Sequence, residues 1–130
     1  MAERYLPPNK HLAARTIAMP ADTNSNGDVF GGWLVAQMDL AGGSIASGHA
    51  QGRVVTVSID HLIFHNPVFV GDEVSCYAEI IRTGHTSITL KIEAWARRNL
   101  SQEGVKVTEG MFAFVAVDSE HKPREIRLPI

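Results

Sequence analysis

A single cysteine in 130 residues excludes an internal disulfide, so the fold must stand on a packed core. Cys76 sits in the alternating segment Val74 to Arg82, where a packed thiol is expected rather than a nucleophile. Positive charge is also scarce: 12 Lys and Arg stand against 14 Asp and Glu, which gives no basic footprint for nucleic acid. Arg53, Arg97, Arg98, Arg124 and Arg127 leave room only for a local anion site. No early segment joins a basic stretch to an apolar core and a cleavage site, and a cytoplasmic protein is expected. There is no internal repeat and no low-complexity tract. With 45% hydrophobic and 20% charged residues, the composition is that of one ordinary globular domain.

What is present reads as one arm, one helix and a series of strands. Met1 to Lys10 carries Pro7-Pro8 and no periodicity, which predicts a loose N-terminal arm ahead of a single domain over residues 11–130. His11 to Met19 reads as a first strand closed by Pro20, and Ala21 to Gly27 is turn chemistry. The run from Phe30 to about Ser47 spaces Leu34, Met38, Ala41 and Ile45 as a helix does, with His49 to Gly52 ending it. Val54 to Phe64, Val74 to Arg82, Thr86 to Arg98 and Val105 to Val117 read as strands. The connections at Thr83 to His85 and Asn99 to Gly104 are too short for parallel crossovers, so the neighbours are antiparallel. The predicted class is α+β, an antiparallel sheet with one long helix across a face. That helix is apolar almost all round, so one sheet cannot cover it, and a twofold dimer is expected to close its other side. A membrane span does not suit the same run, because Gln37, Asp39 and the glycine pairs interrupt a stretch of marginal length.

Several patterns imitate chemistry. Asp22, Asn24, Asn26, Gly27 and Asp28 copy the opening of an EF-hand loop, but the twelfth position is Trp33 where a bidentate Glu is required, and Pro20 stands where a helix should enter. His61 and His65 are four apart on a strand, about 13 Å, too far for one metal. His11, His49, His85 and His121 are scattered, so no metal site is expected. No nucleophile elbow, P-loop or dinucleotide fingerprint occurs.

The informative residue is Asp39, the one charged side chain between Val29 and Ala46. A carboxylate on an apolar segment is either matched by partners or kept for chemistry, because burying it unpaired costs several kcal/mol. Around it stand Asn24 in the loop and Gly31-Gly32 at the helix start. First-turn amides are unpaired donors at the positive end of the helix, and a glycine lets a carbonyl approach them, which is an oxyanion hole in outline. Asp39 lies eight residues on, about 12 Å along the axis, so an elongated substrate beside the helix could meet both. Structural roles stand beside these: a carboxylate tied up at an interface, glycines for close packing, and Asn24 as an Asx-turn or cap.

The string Thr16 to Asp39 (TIAMPADTNSNGDVFGGWLVAQMD) resembles the hotdog-fold acyl-CoA thioesterases, closest to their YciA-like branch. The likeness continues through Gly52 to Val57 (GRVVTV), Pro67 to Asp72 (PVFVGD), Trp95 and Phe112 to Asp118 (FAFVAVD). It implies a helix wrapped by an antiparallel sheet, a dimer with a continuous sheet and, in this branch, commonly a trimer of dimers. It places Asp39 at the catalytic carboxylate, Gly31 at the amide that polarises the thioester carbonyl, and Asn24 at the loop residue facing the partner subunit's acid. Gly32 adjoins the same site. Phe30 stands where many relatives carry His, and Gly84-His85-Thr86-Ser87 where they often carry Gly-Arg-Ser-Ser near coenzyme A. His85 is then a weaker phosphate contact, with Arg97 or Arg98 nearby to compensate. Thr56 or Ser58, on the strand facing the helix, could orient water or the carboxylate.

The resemblance therefore implies hydrolysis of acyl-CoA thioesters of short to medium chain, with coenzyme A as part of substrate and product and no other cofactor. The helix face from Val35 to Ala46, with small residues Gly42, Gly43, Ser44 and Ala46, would hold the acyl chain. Two rivals remain: an acyl-thioester dehydratase or hydratase of the same fold, which needs a site His although His61 and His65 are expected away from the helix entrance, and a non-catalytic acyl-CoA sensor.

Overall fold

Alternating β-branched and aromatic residues build the strands, and a run of small and apolar residues builds the helix between them. The structure, a computed structural model, describes residues 11–99, 101 and 103–127. The expected N-terminal arm over residues 1–10 lies outside the described residues. In chain order come β1 (His11–Ile17), a 3-10 turn (Pro20–Asp22), α1 (Gly31–Ala50), β2 (Val54–Phe64), β3 (Glu73–Thr83), β4 (Ser87–Arg97) and β5 (Val105–Ala116). The strands form one sheet in the order β1-β3-β4-β5-β2, every neighbouring pair antiparallel. α1 crosses one face and touches all five strands. This is the hotdog fold.

The core lies between α1 and the inner face of the sheet. Leu34, Met38, Ala41, Ala46 and Ala50 of α1 meet Val74, Cys76 and Ala78 of β3, Ile88, Leu90 and Ile92 of β4, and Phe112 and Phe114 of β5. Gly42 sets the closeness of the approach: a Cβ there would collide with Ile92 Cδ1 and lie 3.0 Å from Phe114 Cε1. Gly42 and Ala46 are therefore core residues, and the expectation that they leave room for a ligand is corrected. Gly43 and Ser44 border open space instead.

α1 runs three residues beyond the expected end. His49 does not break it; within the expected stop at His49 to Gly52, Gln51 does, by taking a left-handed conformation (φ 55), and the Gly52 amide then donates to Ser47 O at 3.0 Å. The last carbonyls gain a distant partner, because Arg124 Nη2 donates to Ala50 O at 2.8 Å. Burial pushes the Cys76 thiol up to about 12, so a disulfide dye at pH 8 should react with Cys76 only after unfolding. Rapid labelling of the native protein would contradict its place in the core.

β2 is the strand a lone chain covers least. It is a sheet edge, and Val55, Val57, Ile59, Ile63 and Phe64 are exposed along it. Leu40 of α1, on the side away from the sheet, is 67% exposed. An unpaired strand edge and an apolar face of this kind fit association better than solvent. Among the described residues, no helix is long and apolar enough to cross a membrane.

Candidate active site

The loop before α1 is built by its own polar side chains. Asp22 Oδ2 accepts from the Met19 amide at 2.9 Å, and Asn24 Oδ1 accepts from the amides of Asn26 (2.9 Å) and Asp28 (3.2 Å). Gly27 supplies the positive φ of +83 that the turn requires. These contacts give Asp22, Asn24 and Gly27 structural roles in the loop. Asn24 thus makes the Asx-turn of its structural reading while remaining half-buried at the loop.

At the start of α1, Phe30 is the N-cap residue and makes no side-chain cap, so the first-turn amides keep no donor-satisfying side chain of their own loop. Gly31 packs on β2: a Cβ there would lie 3.1 Å from the Phe64 ring. Gly32 has open space at the same position. Gly31 also lines a cavity of about 300 Å³ with Val29, Leu34, Phe64, His65 and Asn66. His65 therefore borders the helix entrance, nearer than the sequence placed it. Its ring is committed elsewhere, with Nε2 at 2.6 Å from Glu109 Oε2.

Partial burial pushes the Glu109 carboxyl up, but hydrogen bonds from His65 and Lys106 and the charges of Lys106 and Lys91 outweigh it and hold the group below its ordinary 4.5. A depressed carboxyl stabilises the fold above its unfolded value, and that stability is lost as the pH falls through the folded value. Glu109→Gln should therefore be less stable than wild type near neutrality and converge with it in acid, once the pH has fallen through the folded value, as read by urea unfolding across pH. A gap that persists in acid would contradict this role.

Asp39 lies on the half-buried side of α1 that turns toward β2. Thr56 Oγ1 donates to Asp39 Oδ1 at 2.6 Å, a short charge-assisted bond that fixes one carboxylate oxygen. The pair opens into a groove of about 470 Å³ lined also by Leu40, Gly43, Ser44 and Arg53. Ser58 is a correction. Thr56 stands opposite the core residue Phe114, but the register slips at Val57 and Ser58 stands opposite Ala113, on the other face of the sheet. It does not face the helix.

A single chain does not unite the predicted residues. Asp39 and Gly31 line separate cavities. His85, Thr86 and Ser87 form the β3–β4 turn, where the Gly84 amide donates to Ser87 O and the Ala116 amide to Thr86 O; the His85 side chain is 82% exposed. Arg97 and Arg98 are not near His85, because β4 separates them by ten residues, about 33 Å. Arg97 forks onto Glu73 at 3.1 Å, and Arg98 holds Asp72 at 3.0 Å with Phe69 beneath it. Sequence reasoning left Arg53 among five undifferentiated arginines, although it stands in the same Gly52 to Val57 string as Thr56.

Comparison with known proteins agrees with this architecture. Residues 26–101 match the family model of the thioesterase superfamily. The acyl-CoA thioester hydrolase YciA of Escherichia coli K12 is 47% identical over 129 residues, covering 97% of this chain and 98% of that protein. The crystal structure of a hexameric thioesterase from Yersinia pestis is 54% identical, with a TM-score of 0.88 over 95% of this chain and 99% of that one. A hexameric broad-specificity acyl-coenzyme A thioesterase is 43% identical, with a TM-score of 0.88 over 94% of this chain and 84% of that one. The fold, the helix-borne acid and this likeness along almost the whole length have one reading: the chain belongs to the hotdog-fold acyl-CoA thioesterases of the thioesterase superfamily, in their YciA-like branch.

Proposed function

We propose that this protein hydrolyses acyl-CoA thioesters of broad, short-to-medium chain length in the cytoplasm, with Asp39 as the reacting carboxylate. The observation that carries the reading is the Thr56–Asp39 bond of 2.6 Å inside a groove between α1 and β2. One oxygen of Asp39 is held by Thr56, which leaves the other to take a proton from water or to attack the thioester carbon. Thr56 acts as a positioning residue. The developing oxyanion is met by the Gly31 amide, aided by the positive end of the α1 dipole, and the coenzyme A thiolate leaves. Acid–base and oxyanion chemistry suffices, so no metal or redox cofactor is invoked.

Gly31 and Asp39 line separate cavities in one chain, and this supports a site shared across a dimer, with Asn24 and Gly31 of one protomer facing Asp39 and Thr56 of its partner. The open edge and apolar surface of β2 supply the pairing surface. A trimer of such dimers matches the hexamers described for the Yersinia pestis thioesterase and the broad-specificity relative. The acyl chain would lie along Leu40 and Gly43 with small side chains beside it.

Thiol release from acyl-CoAs, acetyl to palmitoyl, tests the reading. Turnover with short and medium chains supports it. Tight binding without thiol release would replace the hydrolase with an acyl-CoA sensor, and water addition to an unsaturated acyl chain would replace it with a hydratase.

A further inference from the structure

We propose that Arg53 binds the phosphates of coenzyme A at the mouth of the groove that holds Asp39, an assignment that rests on the hydrolase reading above. The substrate carries a ribose phosphate and a pyrophosphate at the far end of its pantetheine arm, so the groove needs a cation at a distance from the reacting carboxylate. Arg53 lines the same groove as Asp39 and Thr56. It precedes Thr56 by three residues, about 10 Å of extended chain, and its own side chain adds further reach.

The guanidinium is available for an anion. Its Nη1 lies 3.3 Å from His121 Nε2, and since arginine can only donate, that nitrogen is the acceptor. Among the described residues no carboxylate lies within ion-pair distance of Arg53. His121 orients the group and leaves its remaining donors free to fork onto a phosphate. Of the other arginines considered for this role, Arg97, Arg98 and Arg124 are committed. Arg97 and Arg98 hold Glu73 and Asp72 at the opposite end of β4, and Arg124 is spent on the carbonyls of Ala50, Val117 and Glu125.

Arg53 also stands at the end of the sheet that carries the Gly84 to Ser87 turn. The Ala116 amide donates to Thr86 O and the Val117 amide to Arg53 O, so β5 alone separates them. Two strand spacings, about 10 Å, separate the backbone of the turn from that of Arg53.

The test compares wild type with Arg53→Ala and Arg53→Gln in two assays. In the first, KM for butyryl-CoA should rise about tenfold while kcat stays within about twofold, and KM for butyryl-pantetheine, which lacks the nucleotide and its phosphates, should not change. Butyryl-dephospho-CoA separates the sources: an unchanged Arg53 effect assigns the pyrophosphate, a vanished one the ribose phosphate. In the second, calorimetric binding of coenzyme A should weaken about tenfold in both variants. Equal losses with butyryl-CoA and butyryl-pantetheine, or no loss with either, would overturn the assignment. If wild type released no thiol yet bound coenzyme A through Arg53, the hydrolase reading would fall and the phosphate site would stand. If wild type bound no coenzyme A, both would fall.

Discussion

Asp39→Asn is expected to lower turnover of acyl-CoA by about 10²–10⁴-fold while the fold and assembly survive. Asn has the size of Asp, and its carbonyl oxygen can still accept the Thr56 hydroxyl that bonds Asp39 Oδ1 at 2.6 Å. The variant therefore keeps the geometry and removes the charge, the basicity and the nucleophilicity together. Asp39 is half-buried beside an open groove, so neutralising it removes no buried ion pair. KM should change much less than kcat, because the carboxylate acts on the reacting atoms rather than on the coenzyme A arm. Turnover near wild type, at matched oligomeric state, would remove Asp39 from the mechanism.

Gly42→Val is expected to destabilise the protein by about 1–3 kcal/mol through overpacking. A Cβ at Gly42 already meets Ile92 Cδ1 and lies within 3.1 Å of two atoms of the Phe114 ring, and both residues are fully buried. The isoleucine tip can turn aside; the Phe114 ring packs against the helix at both Gly42 and Gly43. Gly48→Ala is the control on the same helix, since nothing lies within 4 Å of its added Cβ. That variant should gain about 0.5–1 kcal/mol from backbone entropy alone. Urea unfolding at one fixed protomer concentration reads both. Equal effects at the two positions would show that Gly42 does not set the helix-to-sheet distance.

Where hydrophobic period carries the information, the sequence reading held. The spacing of Leu34, Met38 and Ala41 marks the buried face of α1, and the short connections marked an antiparallel sheet. The lone charge in an apolar run singled out Asp39. Departures occur where one residue changes the geometry without changing the pattern. The register slip at Val57 leaves β2 looking regular yet turns Ser58 away from Asp39. The helix end depends on Gln51 taking a left-handed backbone and on Arg124, distant in sequence, reaching Ala50 O. Arg97 and His85 could have been separated on paper, because an eleven-residue strand lies between them. The resemblance already implied a site shared with the partner subunit through Asn24; what three dimensions add is that Gly31 and Asp39 of one chain line separate cavities.

The central claim is that each site takes Asp39 from one protomer and Asn24 with Gly31 from its partner, and subunit mixing tests it most directly. Asp39→Asn and Asn24→Ala chains, each with little activity alone, would be unfolded together and refolded at equal amounts. Random pairing gives mixed dimers with one intact site and one doubly altered site, so thiol release should return to about a quarter of the wild-type level. Recovery of that size would establish the shared site. A mixture no more active than the two variants measured separately would contradict it and return the whole mechanism to a single chain.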